Sequence, residues 1–284
     1  MTEAAFSSGN VDIGGLKFHF VDWDGEGPPL VMLHGLSGHA RTWDHTARAL
    51  SGQYHVLALD QRGHGDTEWA PEYGLRPMAG DLLGFLDALN LSRVTLMGLS
   101  MGGLVSFVFA AAHPERIARM VIMDIGPEIA PAGSANVASS LAARDVFGSE
   151  DEAFAQARAA NPRPTDATLR HRLVHNLRSQ PDGTLTFRYD KELRSNPRAL
   201  FDHTPDQLWE AWRAVTCPVL LVRGAESDVL AAGTAERMVA ENPNVSFVTV
   251  PDSGHSITLD NPEGLVEAVS PWLSATAAGQ TASA

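Results

Sequence analysis

Six short apolar runs recur along the chain: PPLVMLHG (28–35), YHVLALD (54–60), RVTLMGLS (93–100), MVIMD (120–124), CPVLLVRG (217–224) and VSFVTV (245–250). Each is about the length of one strand, and PPLVMLHG, YHVLALD, MVIMD and CPVLLVRG are apolar at their centres, the pattern of a strand covered on both faces. Helical patterns fall between several of them. PMAGDLLGFLDALN (77–90) puts Leu82, Leu83, Leu86 and Leu89 on one face. Others follow in MGGLVSFVFAAAHPE, TAERMVAEN and EGLVEAVSPWLS. Strands alternating with helices require crossover connections, so the chain predicts a parallel sheet with helices packed on it. LKFHFVDWD (16–24) alternates instead, as an antiparallel edge hairpin does.

Between 127 and 203 this alternation stops. Polar segments with turn residues replace it: DEAFAQARAAN, TDATLRHRLVHNLRSQ and DGTLTFRYDKEL, all read as helical. Ten Arg+Lys and ten Asp+Glu make this stretch formally neutral, so the net charge of −13 sits on the remainder. The stretch reads as an inserted, mostly helical lid at 127–203, with a core built from 1–126 and 204–284. Its apolar residues (Leu141, Val146, Phe147, Phe154, Leu173, Leu177, Leu200, Phe201) and the nearby Trp209 and Trp212 are expected mostly to pack its own small core, with some facing the pocket.

The strongly acidic balance argues against nucleic acid or an anionic membrane surface as partner. Cys217 is the one cysteine, which excludes an internal disulfide framework or a cysteine-based zinc site. It opens a buried strand and reads as a small core residue. MTEAAFSSGN lacks the basic and apolar regions of a signal peptide, and no run of about 18 apolar residues occurs. A cytoplasmic location is the expectation, and the tail AAGQTASA is expected to be disordered.

Gly98-Leu99-Ser100-Met101-Gly102 is a G-x-S-x-G set where a strand ends and a helix begins, the context that gives this motif its meaning. A turn so tight needs small residues two positions either side of the serine. Gly98 and Gly102 supply them, and Gly103 adds slack. The turn would hold Ser100 strained, with its hydroxyl aimed away from the sheet. The helix N-terminus beneath favours developing negative charge.

LHGLSG (33–38), DQRGHG (60–65), GLSMGG (98–103) and PDSGHS (251–256) stand in the order found in the α/β-hydrolase superfamily. The chain resembles that superfamily over essentially its whole length outside 127–203. The resemblance implies a mostly parallel eight-stranded sheet flanked by helices with an inserted helical lid, and a nucleophilic role for Ser100. It places the general base at His255, in the Gly-His turn after the last strand. One oxyanion donor would be the Met101 backbone N–H, which follows the nucleophile, and resemblance places the other at Leu36. His34 and His64 would shape loops, as HG and RGHG do in that family. His171 and His175 stand four apart on a helix, a spacing that suits a metal. No third ligand accompanies them at a recognisable spacing, so a solvated lid face is the simpler reading.

The acid that orients the base has more than one candidate. The superfamily most often carries it after the penultimate strand, three residues past a glycine. Here that position is Ser227, which cannot serve, leaving Asp228 one residue late and Glu226 one early. Some branches, including certain esterases, lactonases and haloalkane dehalogenases, place it at the end of the strand after the nucleophile helix. Asp124 stands there, 24 residues after Ser100, and is preferred. A turn cap is its alternative role.

These residues imply a serine hydrolase that cleaves carboxylic esters of small to medium hydrophobic substrates through an acyl-enzyme. A lactonase or C–C bond hydrolase would use the same machinery, and a non-catalytic ligand-binding relative is the reading from another class. Epoxide hydrolases and dehalogenases are disfavoured, because they carry aspartate where Ser100 stands. Neither a phosphate-cradling G-x-x-x-x-G-K-[ST] loop nor a G-x-G-x-x-G fingerprint occurs, so no nucleotide cofactor is implied, and the expectation is of no cofactor.

Overall fold

A computed structural model describes residues 6–196 and 202–280. Eight strands form one sheet: β1 (Ser7–Ile13), β2 (Leu16–Asp22), β3 (Pro29–Leu33), β4 (His55–Leu59), β5 (Val94–Leu99), β6 (Ile117–Met123), β10 (Val219–Gly224) and β11 (Val245–Val250). A second, three-stranded sheet lies between β6 and β10 in the chain: β7 (Val146–Phe147), β8 (Leu177–Ser179) and β9 (Leu185–Phe187). The large sheet runs β1-β2-β4-β3-β5-β6-β10-β11. β1 and β2 pair antiparallel, β2 meets β4 antiparallel, and every other neighbouring pair is parallel. The edge hairpin expected from LKFHFVDWD is thus present. Its other half, SSGNVDI, is too polar to register as a strand because much of it faces solvent.

Alternate residues of each central strand enter different cores, as a period of two requires. Val31 and Leu33 join Met120, Ile122, Val219 and Leu221 on one face. The helices Leu75–Ala88, Met101–Ala112, Pro205–Ala214 and Ala232–Glu241 cover that face through Leu82, Phe85, Phe107, Trp209, Trp212 and Met238. Leu30, Met32, Val121, Met123, Leu220 and Val222 face the other way, under helices Asp44–Leu50 and Pro262–Gln280. Burial on both faces explains why these strands read as unbroken apolar runs. Cys217 is buried in the first core.

The described residues of 127–203 form helices Pro131–Ala142, Glu150–Ala160, Asp166–Asn176 and Glu192–Ser195 together with the three-stranded sheet. DGTLTFRYDKEL is therefore not helical at its start. Leu185–Phe187 is a strand joined to Leu177–Ser179 by a turn at Gly183, whose φ of 85° no helix accepts. Three residues are too few for a period-two signal to stand out. The insertion has its own small core of Phe147, Ala153, Leu169, Leu173 and Leu177, whereas Val146 is exposed. Trp209 and Trp212 belong to the main core, with Trp212 edge-on to Phe107 at 5.7 Å. Leu200 and Phe201 lie outside the described residues. Helix Pro262–Gln280 continues into the tail expected to be disordered, whose last residues, 281–284, also lie outside them. Among the described residues no helix is long and apolar enough to cross a membrane.

One seam between insertion and core runs through the DQRGHG loop. His64 bridges to Tyr189 in antiparallel fashion and stacks on its ring, and the Tyr73 hydroxyl donates to Asp190 at 2.6 Å. His64 is wholly buried, donates from Nδ1 to the Arg62 carbonyl at 3.0 Å, and leaves Nε2 without a partner among the described residues. Burial pushes its pKa down to about 3. Below the unfolded value of about 6.5 the unfolded chain takes up a proton that folded His64 refuses, so stability falls with pH across that window. Urea unfolding of the wild type and of His64→Asn, which keeps the donor to Arg62, tests this. Between pH 6.5 and 4 the wild type should lose about 1 kcal/mol per pH unit more than the variant.

Candidate active site

Ser100, Asp124 and His255 emerge from the C-terminal ends of β5, β6 and β11, next to the end of β10. The hydrogen-bond ladder of the sheet runs one step past the strands to hold the first two. The Ser100 N–H donates to the Met123 carbonyl at 2.9 Å, and the Asp124 N–H to the Val222 carbonyl at 2.8 Å. Both residues have left-handed backbones, with φ of 53° at Ser100 and 52° at Asp124. A non-glycine residue held there costs of order 1–3 kcal/mol, which the surrounding structure must supply.

The glycines around Ser100 explain how. A Cβ on Gly98 would lie 2.4 Å from the Gly102 carbonyl oxygen, and one on Gly102 would lie 2.2 Å from that of Leu33. Gly103, expected to add slack, does something different: a Cβ there would meet Ile125 Cγ2 at 2.6 Å, so it lets the helix close onto the β6 loop.

His255 lies between the other two. Ser100 Oγ donates to its Nε2 at 3.0 Å, and its Nδ1–H donates to Asp124 Oδ2 at 2.8 Å. A carboxylate can only accept, which fixes this tautomer and leaves the Nε2 lone pair for the serine proton. Asp124 is completely buried, and two further donors hold it. The Gly224 N–H reaches Oδ1 at 2.9 Å, and the Ser227 hydroxyl reaches Oδ2 at 2.5 Å. Ser227 Oγ in turn accepts the Val229 and Leu230 N–H groups at 3.2 and 3.0 Å.

The other acid candidates point elsewhere. Asp228 accepts from Asn136 Nδ2 at 2.5 Å, and Glu226 accepts from Arg163 at 2.7 Å. Residue reasoning set Ser227 aside because it is no acid, and so missed its part. It occupies the position three past Gly224 and solvates the carboxylate that came from another strand. A hydroxyl at that position was the available signal.

The loop after β3 stands against the serine: a Cβ on Gly35 would lie 3.2 Å from Ser100 Cβ. The carbonyl of Gly35 accepts the Gly38 N–H at 2.9 Å and His34 Nδ1 at 2.8 Å. The Leu36 N–H has no acceptor among the described residues, and Met101, opening its helix, has none within it. These are the two N–H groups the sequence nominated.

Both loop histidines are buried and packed at 5.0 Å between ring centres. His34 Nε2 accepts the Gln61 N–H at 3.0 Å, and burial pushes its pKa down. Asp60 anchors the same loop by accepting the Ala40 N–H at 2.6 Å and His19 Nδ1 at 2.8 Å. Burial alone would raise its pKa, but the His19 bond, the nearby His34 and the Asp66 N–H outweigh it and hold the carboxyl at about 2.

The chain matches the family model described as "alpha/beta hydrolase fold" over residues 28–262. A 3-hydroxybutyrate-oligomer hydrolase of Cupriavidus necator is 30% identical, over 87% of this chain and 89% of its own. Esterase Rv0045c of Mycobacterium tuberculosis is also 30% identical, over 87% of this chain and 83% of its own. Among solved structures, an E-2-(acetamidomethylene)succinate hydrolase superposes with a TM-score of 0.88 at 26% identity, covering 95% of this chain and all of that one. The chain belongs to the alpha/beta hydrolase family.

Ser227→Ala removes a charge-assisted bond from a buried carboxylate and should lower unfolding stability by about 1–3 kcal/mol in urea titrations. A change within error would mean that water replaces the hydroxyl without loss.

Proposed function

We propose that this member of the alpha/beta hydrolase family is a carboxylic ester hydrolase that works through an acyl-enzyme at Ser100. The observation that carries the reading is His255, bonded through one nitrogen to Ser100 Oγ and through the other to buried Asp124. In this mechanism Ser100 Oγ attacks the ester carbonyl carbon while His255 Nε2 takes its proton. Asp124 accepts from Nδ1–H throughout and stabilises the imidazolium without becoming protonated. The Leu36 and Met101 N–H groups receive the negative charge that forms on the carbonyl oxygen. His255 then protonates the leaving alcohol. Water, deprotonated by the same nitrogen, releases the acid.

Residues 127–203 act as the lid that selects acyl and leaving groups, and small to medium hydrophobic esters are the substrate class. The relatives named as an esterase and as a 3-hydroxybutyrate-oligomer hydrolase support ester chemistry over C–C bond cleavage. Lactones present the same acyl carbon and form the comparison arm of a substrate panel.

Fluorophosphonate labelling tests the nucleophile: the wild type should label and Ser100→Ala should not. Labelling that survives in Ser100→Ala sinks the proposal. For the acid, Asp124→Asn should lower turnover of an aryl ester by about four orders of magnitude. Asp228→Asn should stay near wild type. The reverse pattern would move the acid to Asp228.

A further inference from the structure

His171 and His175, read from sequence as a solvated helix face, have a third partner that the chain brings from 127 positions away. Asp44 opens the core helix Asp44–Leu50, and its Oδ2 lies 2.9 Å from His171 Nε2. We propose that Asp44, His171 and His175 form a site for a first-row divalent transition metal such as Zn2+, which would clamp the lid helix Asp166–Asn176 to the core.

One turn of helix sets the two imidazoles on the same face, with ring centres 4.8 Å apart. One ligand atom from each of the three residues lies within 4.8 Å of the other two. Ligands bound to one zinc at about 2.0–2.2 Å lie roughly 3–3.6 Å from each other. Small rotations of two part-exposed imidazoles therefore complete the site, while the carboxylate stays fixed. Asp44 is almost fully buried and is held by Arg41, whose Nε donates to Oδ1 and whose Nη2 donates to Oδ2, both at 2.6 Å. On metal binding His171 Nε2 gives up its hydrogen bond to Oδ2 and carries its remaining proton on Nδ1. Two imidazoles and one carboxylate suit zinc, nickel, cobalt or copper rather than magnesium or calcium, and a water completes the tetrahedron. Arg41 and the Arg48 guanidinium, 4.0 Å from Asp44, oppose the added positive charge, so the site is reversible rather than permanently loaded.

The same helix touches the loop that carries Leu36. Asn176 Nδ2 donates to the Ser37 carbonyl at 3.0 Å, and His39 Nε2 meets the Arg172 carbonyl at 3.3 Å. A metal between Asp44 and the two histidines thus fixes the lid over that loop. Only this last consequence rests on the hydrolase reading; binding itself does not.

The test is calorimetric titration of EDTA-stripped full-length protein with Zn2+, with Co2+ visible absorption as a check on nitrogen ligation. Wild type should bind one Zn2+ per chain. His171→Ala and His175→Ala should each weaken binding at least roughly tenfold, while His255→Ala binds as wild type. Near-UV circular dichroism confirms that the variants, altered at part-exposed positions, keep the native packing. A wild type that binds no Zn2+, lid variants of unchanged affinity, or loss of binding in His255→Ala would each overturn the proposal. None of these outcomes depends on whether Ser100 labels, so the two readings fail separately.

Discussion

A carboxylate with no exposed surface must find donors for its lone pairs inside the protein or give up its charge. At Asp124 the donors come from three places: the Gly224 backbone, the Ser227 hydroxyl and His255 Nδ1. They can converge only because β6 lies between β5 and β10, with β11 beyond. Sheet order is thus the condition for a buried charge, and the buried charge is the condition for an imidazole with a fixed tautomer. The left-handed turns at Ser100 and Asp124 follow, since both side chains must leave their strands and turn toward the same ring. The backbone bonds from Ser100 to Met123 and from Asp124 to Val222 keep those turns in register with the sheet.

The insertion is held differently. It has its own apolar core, and much of its seam with the sheet domain is polar: Tyr73 with Asp190, Arg188 with Asp66, Asn161 with Asp260, Arg163 with Glu226 and Asn136 with Asp228. The two exposed ion pairs among them, Arg188–Asp66 and Arg163–Glu226, contribute between nothing and about 1 kcal/mol each, whereas the Tyr73–Asp190 bond is buried. The sheet domain, by contrast, is joined by whole apolar faces. Tyr189 and Leu193 of the insertion nonetheless join the main apolar core.

Much of this was legible in the residues. Burial on both faces turns a central strand into an unbroken apolar run, so β3 to β6 and β10 announced themselves, while β11, a part-exposed edge, showed through the valines and phenylalanine of VSFVTV. The serine turn did too, because steric exclusion at Gly98 and Gly102 leaves no other residue type there. What stayed hidden lacks a local cause. β1 is a solvent-facing edge, β9 is three residues long, and Asp44 meets His171 through tertiary packing alone. Ser227 was visible but misjudged, because its chemistry was weighed as that of an acid rather than of a donor to one.

With the carboxylate on β6, the loop after β10 carries no charge that must meet His255. Its two acids are free to face outward, and both grip the insertion, Glu226 through Arg163 and Asp228 through Asn136. Between them sits Ser227, bonded to Asp124. The seven-residue loop 225–231 therefore does two things at once: its outward side chains contact the insertion, and its inner hydroxyl touches the carboxylate bonded to the imidazole. The contacts that seat the insertion and the donors that solvate the buried charge thus share one short stretch of backbone.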